Sequence, residues 1–471
     1  MVFSSTVFLF IFLPAVWAIC FFLPRRFITA KNVALALASL VFYAFGEPVY
    51  VLIMLASVTF NYFAALLMER MEHRENAKKI LCAVAVIVNL SLLALFKYVP
   101  WLVTMFNSAA HTSIPVPALT IPVGISFYTF QILSYVIDVE RGKVSAQHNY
   151  VNLFLYISFF PQLIAGPIVK YSDISAQITE RTVTVDKTAR GVRRFIVGFS
   201  KKVLVSNSVA VIADAAFGAG SPSSLLLWCG AAAYCLQLYF DFSGYSDMAI
   251  GLASMFGFEL NENFNYPYSA VSVNDFWKRW HISLTSWFRE YVYFSLGGSR
   301  CSRARAMLNR FIVFALSGLW HGANLTYLLW GIWHGILMVL EQLTGLNKLA
   351  EKRAFRPFTR IYTLLCVLLG FVLFRAESVG AAFDYIKGMF SFTGGYSDAT
   401  LYFSPWTVVV IVSAVIFSLP VIPFIREKLA TTERRQKILS AVSYVAVIPL
   451  FALSVGMLAS SSFNPFIYYI F

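Results

Sequence analysis

Apolar segments long enough to cross a lipid bilayer follow one another along almost the whole chain, and this succession limits the possible folds more than any other feature. Hydrophobic residues make up 59% of the 471 residues, and charged residues only 13%. A helix needs about 20 mainly apolar residues to cross the hydrocarbon core. The sequence therefore predicts an all-α, polytopic integral membrane protein with a single membrane domain over residues 1–471.

The apolar segments predict about 11–12 membrane segments. They lie near residues 4–22, 32–46, 49–68, 80–96, 121–138, 195–217, 225–252, 306–320, 324–343, 357–374, 405–424 and 438–459. The loops at 170–202 and 278–310 are rich in Lys and Arg, and cytoplasmic loops of membrane proteins carry such an excess. We therefore expect both loops on the cytoplasmic side and both chain termini on the opposite side.

The charge and the cysteines exclude some other classes of protein. A net charge of +14 could indicate nucleic-acid binding, but the basic residues lie in short loops between apolar segments, where they orient the helices. We therefore expect the lipid bilayer, and no nucleic acid, as a partner. No basic residue precedes the first apolar run, which predicts a retained first span. The six cysteines show no paired metal-ligand spacing, so no metal site is expected.

Two segments differ from a simple membrane helix. Two prolines and a glycine break the apolar run at 159–167, which favours either a packed, broken helix or a re-entrant segment that shapes a cavity. Residues 273–296 mix aromatic and charged residues at helical spacing and predict an amphipathic helix at the cytoplasmic interface. On that helix His281 would share a face with Trp277 and Leu284, so we expect its side chain in the protein interior.

His321 is the main candidate for a reaction centre. It lies in the glycine-containing segment 317–324, between apolar stretches, where a titratable imidazole is costly to keep unless it has a function. Gly322 and Ala323 are expected to leave the backbone open, and Asn324 supplies the nearby amide that a general base with an orienting or polarising partner would need. The alternative is a structural histidine bonded to a neighbouring helix, and this interpretation is favoured for His334.

A third polar group lies within an apolar helix. Gln237, Asp241 and Tyr245 recur at four-residue spacing and form one polar stripe, with Asp247 close behind. Buried carboxylates pair or form hydrogen bonds, so a structural network is the favoured interpretation of both aspartates. The sequence contains no serine-hydrolase elbow, no His-Glu-x-x-His pair and no glycine-rich phosphate loop.

Several motifs in this order resemble those of the membrane-bound O-acyltransferase family, and most closely those of its bacterial branch typified by the membrane subunit of alginate O-acetylation. They lie at residues 2–5, 122–128, 165–167 and 239–251, at Phe276-Trp277-Lys278-Arg279-Trp280-His281-Ile282-Ser283-Leu284, at Gly318-Leu319-Trp320-His321-Gly322-Ala323-Asn324 and at Phe374-Arg375-Ala376. The resemblance extends over nearly the whole chain.

This resemblance implies a multi-helix membrane fold with a tunnel through it and an acyl donor that enters from the cytoplasm. It also implies a catalytic histidine at the position of His321 and a supporting histidine at that of His281. In this branch the acetyl group is delivered outward to a polysaccharide, typically through a separate extracytoplasmic SGNH-type partner. The corresponding location is the bacterial inner membrane.

The chemistry of an acetyl-CoA donor fits these residues. A thioester is already activated, so the enzyme has to align it with a hydroxyl and remove the hydroxyl proton. A buried, neutral His321 could act as the base, while Asn324 or a backbone amide could stabilise the oxyanion. Lys278, Arg279 and Arg289 are candidates for binding the CoA phosphates, and orientation of the protein by positive charge is the equal alternative.

Two other classes of function remain open on the sequence alone. A transporter for a polysaccharide or for acetyl groups could use His321 and the Asp241 stripe as a proton relay. A scaffold for a secretion complex is the third possibility, but it leaves the buried histidines without a role.

Overall fold

A computed structural model describes residues 1–392, 394, 397–460 and 466–467 of the chain. These residues form helices joined by turns and loops, and no β-strand occurs among them. The predicted all-α class is therefore confirmed. The chain divides into two compact units, one of Met1–Phe195 with Met248–Asn261 and one of Ile196–Asp247 with Glu262–Phe471.

The first unit contains the helices of the N-terminal part of the chain. They are α1 (Leu13–Phe22), α2 (Ile28–Ala44), α3 (Tyr50–Arg70), α4 (Glu75–Lys97), α5 (Val99–Ala110), α6 (Ile125–Glu140), α7 (Tyr150–Ser158), α8 (Phe160–Leu163), α9 (Tyr171–Glu180) and most of α10 (Val185–Ser200). Short π or 3-10 turns precede α1 at Phe8–Phe12 and α2 at Arg25–Phe27.

The second unit contains the candidate functional residues. Its helices are α11 (Asn207–Gly218), most of α12 (Ser224–Met255), α13 (Val273–Trp277), α14 (Ile282–Phe288), α15 (Arg303–His321), α16 (Leu325–Thr344), α17 (Leu346–Glu351), α18 (Arg356–Arg375), α19 (Val379–Met389), α20 (Ser397–Thr400), α21 (Pro405–Phe417), α22 (Val421–Leu429) and α23 (Glu433–Ser460). Shorter turns lie at Lys201–Ser206, Pro267–Ser269, Arg289–Tyr293 and Arg353–Phe355.

Seven helices among the described residues are long and apolar enough to cross a membrane. They are Arg25–Ala44, Tyr50–Arg70, Glu75–Lys97, Val185–Gly218, Ser224–Met255, Arg353–Arg375 and Glu433–Ser460. The pair α21 and α22, bent by 64°, could make an eighth span. The polytopic membrane character is confirmed, but the count is lower than the 11–12 segments expected. One reason is that some apolar runs form shorter helices, such as the one at Phe8–Phe22.

The broken segment at 159–167 is buried within the first unit. Only one helical turn, α8, forms there, and Gly166 then adopts a φ of 106°, which favours glycine. Phe160 is fully buried, and its backbone N–H donates to Ser39 Oγ at 3.1 Å. The prediction of a packed, broken helix is confirmed, and protein surrounds the non-helical backbone, as a membrane interior requires. A role in shaping a cavity stays a prediction.

Glycines bring α15 and α16 into close contact. A Cβ atom at Gly318 would lie 3.2 Å from the Cα of Gly331 and would overlap the carbonyl oxygen of Tyr327. A Cβ at Gly331 would overlap the carbonyl oxygen of Phe314. Within a membrane the hydrophobic effect does not drive helices together, so their association depends on close packing. Small residues permit that packing because they let the two backbones approach. Asn324 caps the start of α16, because its side chain accepts from the backbone N–H of Thr326 at 3.1 Å.

We expect Gly331→Ala to destabilise the protein by about 1–3 kcal/mol, because the new methyl group collides with backbone that cannot move aside locally. The measurement is thermal unfolding in detergent. Gly456→Ala in α23 is the matched control, since nothing lies within 4 Å of the position of its Cβ. Alanine is favoured over glycine in a helix by about 1 kcal/mol, so this control should be unchanged or slightly more stable. Equal unfolding temperatures for wild type and Gly331→Ala would contradict the close contact.

Candidate active site

His321 is the last residue of α15, and its side chain is buried, with 4% exposed. Its imidazole lies edge to face with Trp330 of α16 at 5.1 Å and with Phe374 of α18 at 5.3 Å between ring centroids. The contact between Gly318 and Gly331 holds α15 and α16 at the distance that brings His321 onto Trp330. Helices α15, α16 and α18 thus enclose His321 among aromatic rings.

The backbone beside His321 is not open as expected. A Cβ atom at Gly322 would overlap the ring of Tyr327. This ring therefore occupies the space that we expected to be open. Gly322 has an extended backbone, with φ of −172° and ψ of 158°. The glycine is therefore required by the close approach of Tyr327, and the expectation of open space at this position was wrong.

Asn324 has structural partners at both ends of its amide. Its Oδ1 accepts from the N–H of Thr326 as the cap of α16, and its Nδ2 donates to the backbone carbonyl of Glu377 at 3.0 Å. The amide therefore ties the start of α16 to the chain that follows α18. A part in the reaction stays a prediction for this residue.

His281 does not lie within a continuous amphipathic helix. The predicted helix at 273–296 is broken between α13 and α14, where His281 has a φ of 46°. The neighbouring loop causes the break, because Ile282 N–H donates to the carbonyl of Asn263 and Asn265 N–H donates to that of Arg279, each at 2.9 Å. The prediction of one helix was therefore wrong. The prediction of an interior position is confirmed, since only 1% of His281 is exposed.

Asn263 holds the ring of His281, and sequence reasoning missed it. Its Oδ1 lies 3.1 Å from His281 Nδ1 and accepts from Ser283 Oγ at 2.8 Å, while its Nδ2 donates to Ser246 Oγ at 3.0 Å. Phe242 packs edge to face on the imidazole at 4.6 Å. Burial lowers the pKa of His281 to about 3, so the ring is neutral near pH 7. The only signal in the sequence was that Asn263 lies in the polar stretch 261–265, ahead of the motif at 276–284.

Indole rings link the three buried histidines. His281 faces Trp320 at 6.4 Å, Trp320 adjoins His321 at 4.9 Å, and Trp330 lies 5.1 Å from both His321 and His334. These contacts bring His281 and His321 into one buried cluster. The indole planes shield it from bulk solvent, which strengthens any electrostatic interaction within it.

His334 occupies the far end of this cluster. It is fully buried, its Nδ1 lies 3.0 Å from the carbonyl oxygen of Trp330, and its ring lies 5.1 Å from that of Trp277. Gly370 of α18 packs so closely on His334 that a Cβ there would lie 3.1 Å from Nε2. These contacts agree with the structural role that the sequence favoured.

The three cations proposed for CoA phosphates differ in their surroundings. Lys278 and Arg289 are exposed, whereas Arg279 is partly buried and its Nε donates to Asp275 at 2.9 Å. An existing ion pair competes with a phosphate, so Lys278 and Arg289 are the better placed of the three. Phosphate binding stays a prediction for all of them.

The polar stripe on α12 forms ion pairs within the second unit. Asp241 lies 2.6 Å from Lys202 Nζ, with both side chains almost completely buried, and it also accepts from Ser206 Oγ at 3.3 Å. Asp247 lies 2.6 Å from Lys201 Nζ. The favoured structural interpretation of both aspartates agrees with these contacts. Within the described residues, no group of three or more His, Cys, Asp or Glu side chains could hold a metal ion.

Comparison with known proteins identifies the class. The sequence profile of the membrane-bound O-acyltransferase family matches residues 39–381, which include His281 and His321. A probable alginate O-acetylase of Pseudomonas aeruginosa is 43% identical over 396 residues, which cover 83% of this chain and 75% of that protein. The chain is thus a polytopic membrane acyltransferase. It belongs to the membrane-bound O-acyltransferase family.

Two further relatives show how far the similarity extends. A probable alginate O-acetylase of Azotobacter vinelandii is 38% identical over 506 aligned positions, which cover 100% of both chains. A peptidoglycan O-acetyltransferase of Helicobacter pylori is 35% identical over 436 positions, covering 84% of this chain and 80% of that protein. The similarity therefore extends to relatives named for two different polymers.

We expect Asp241→Asn to destabilise the protein by about 3–5 kcal/mol, because it removes the charge that compensates a buried Lys202. Thermal unfolding in detergent measures the loss. Glu433→Gln removes one side of the exposed pair between Glu433 and Lys437 and should change stability by less than about 0.5 kcal/mol. A stable Asp241→Asn variant that has lost acyl transfer would contradict the structural interpretation and favour a direct role in function.

Proposed function

We propose that the protein is a membrane O-acetyltransferase that takes acetyl from cytoplasmic acetyl-CoA and passes it across the membrane to an extracytoplasmic, alginate-like polysaccharide. The observation that carries this proposal is the burial of His321 among Trp330, Phe374 and Trp320, close to a second buried histidine. The relatives named as O-acetylases support acetyl as the group transferred. We further propose the bacterial inner membrane as the location and an SGNH-type extracytoplasmic protein as the partner.

The distribution of charge supports a donor that arrives from the cytoplasm. Helix α15 begins at Arg303, with Arg305 and Arg310 in its first turns, and a basic cluster precedes α18. Lys and Arg concentrate on the cytoplasmic side, so both helices would run outward from that side toward His321 and Phe374. Lys278 and Arg289, which lie in the same basic part of the sequence, would bind the phosphates of CoA.

In the proposed reaction His321 removes the proton of the acceptor hydroxyl as its oxygen attacks the thioester carbonyl. The new C–O bond forms, the C–S bond breaks, and the proton passes from His321 to the departing thiolate of CoA. One amide hydrogen of Asn324 is donated to the backbone carbonyl of Glu377. The other amide hydrogen of Asn324, or a backbone N–H, would stabilise the oxyanion. The partner would carry the acetyl group on to the polysaccharide.

Replacement of His321 by Ala or Gln should abolish acetyl transfer, because general-base catalysis typically contributes 10²–10⁴-fold. Radiolabelled acetyl-CoA is supplied on the cytoplasmic side of vesicles containing the purified protein, with and without the extracytoplasmic partner. His281→Gln should reduce transfer less, and His73→Gln, at an exposed position, serves as the control. An active His321 variant beside an inactive His281 variant would contradict the assignment of the base.

Lys278→Ala and Arg289→Ala should each raise the KM for acetyl-CoA by about tenfold, the effect of losing one charge-assisted hydrogen bond. The KM for S-acetylpantetheine, which lacks the nucleotide phosphates, should not change. Initial rates of thiol release measure both constants. Equal effects on the two donors would show that these cations act on the fold or orientation of the protein and not on the phosphates.

A further inference from the structure

The amide of Asn263 has an unambiguous orientation. The backbone N–H of Ser283 can only donate, and it points at the Asn263 atom assigned as Oδ1, at 3.3 Å. That atom is therefore an oxygen and an acceptor. On the other side, Nδ2 donates to Ser246 Oγ at 3.0 Å. The Ser283 N–H fixes the orientation, and the contact with Ser246 is compatible with it, since a hydroxyl can donate or accept.

This orientation determines which nitrogen of His281 carries the proton. Nδ1 lies 3.1 Å from Asn263 Oδ1, an atom that cannot donate, so Nδ1 must carry a hydrogen to form this bond. A neutral imidazole has one N–H, so Nε2 then carries a lone pair. His281 is thus held as the Nδ1–H tautomer.

The other ring nitrogen of His281, Nε2, is buried and unsatisfied. Among the described residues, Nε2 has no hydrogen-bond partner although the side chain is almost completely buried. A buried acceptor without a partner is available to a group that arrives with the substrate. That group must be a hydrogen-bond donor.

We propose that Asn263 is a positioning residue that fixes His281 as a hydrogen-bond acceptor for an amide N–H of the pantetheine arm of the acyl donor. The proposal rests on the proposed function, in which the donor is a pantetheine thioester. His321 takes the reacting proton of the acceptor hydroxyl, and the thioester itself carries its nearest hydrogen-bond donors in the amide N–H groups of the arm. A bond from such an N–H to Nε2 would hold the thioester beside His321.

Histidine tautomers can be measured directly. In protein labelled with 15N-histidine, the resonances removed by His281→Gln should show Nδ1 protonated and Nε2 unprotonated. Asn263→Ala should give a mixture of tautomers, whereas Asn263→Asp keeps an acceptor and should restore the Nδ1–H form. Asn265→Ala, at an exposed position in the same loop, is the control and should leave the spectrum unchanged. A wild-type resonance with Nε2 protonated would overturn the proposal.

Two small donors test the contact with the amide. N,S-diacetylcysteamine contains the N–H nearest the thioester, and S-acetyl-2-mercaptoethyl acetate replaces that amide with an ester. In wild type, kcat/KM for thiol release should favour the amide by about tenfold, the typical effect of one hydrogen bond that would otherwise leave an unpaired buried acceptor. This preference should disappear in Asn263→Ala and persist in Asn263→Asp and Asn265→Ala.

The outcomes separate this proposal from the proposed function. Failure of wild type to release thiol from acetyl-CoA would contradict the acetyltransferase function, whatever tautomer His281 adopts. His321-dependent release with no preference for the amide would overturn the contact proposed here and leave the function standing. A third outcome is that Asn263→Ala keeps the preference for the amide donor but has a reduced kcat with the polymer acceptor. That result would show that His281 contacts the acceptor hydroxyl and not the amide, which also overturns the proposal.

Discussion

The close approach of α15 to α16 is the contact on which the candidate active site depends. Gly318 and Gly331 meet with no side chain between them. On α15, Gly318 lies one turn before His321, and on α16, Gly331 directly follows Trp330, whose ring contacts His321. A larger side chain at either glycine would separate the helices and move these rings apart. The cap at Asn324 and the packing of Tyr327 on Gly322 then fix the turn between the helices.

Buried charged groups in the second unit form local ion pairs or hydrogen bonds. Lys202 and Asp241 compensate each other's charge within the buried part of the unit, as burial in a low-dielectric interior requires. Glu341 of α16 accepts from the backbone N–H groups of Val273 and Asn274 and so attaches α13 to α16. A proton relay through Asp241 would need this carboxylate to exchange partners during each cycle, whereas an acyltransferase can leave it paired. The structure of the stripe thus favours the enzyme over the transporter.

The sequence predicted what depends on composition and local pattern. The membrane class follows from the hydropathy of the chain. The burial of His281 follows from the aromatic residues at helical spacing beside it, and the broken segment at 159–167 follows from its prolines and glycine. The prediction of a continuous helix at 273–296 was wrong because backbone hydrogen bonds with the loop at 263–265 break it, and helical periodicity contains no information on such bonds. The prediction of open space at Gly322 was wrong for a similar reason, since only the folded chain shows that the ring of Tyr327 lies against this glycine. Asn263 was missed because an asparagine in a loop resembles any turn residue.

The surroundings of the two histidines indicate different roles in one reaction. His281 is held by Asn263 in a single tautomer, and burial lowers its pKa to about 3. A base of such low pKa gains little from taking up a proton near pH 7, because efficient general bases have pKa values close to the working pH. Its Nε2 is nevertheless a good hydrogen-bond acceptor, and an acceptor that stays unprotonated keeps its geometry through the whole reaction. In the proposed reaction, proton removal therefore falls to His321 and orientation of the thioester to His281.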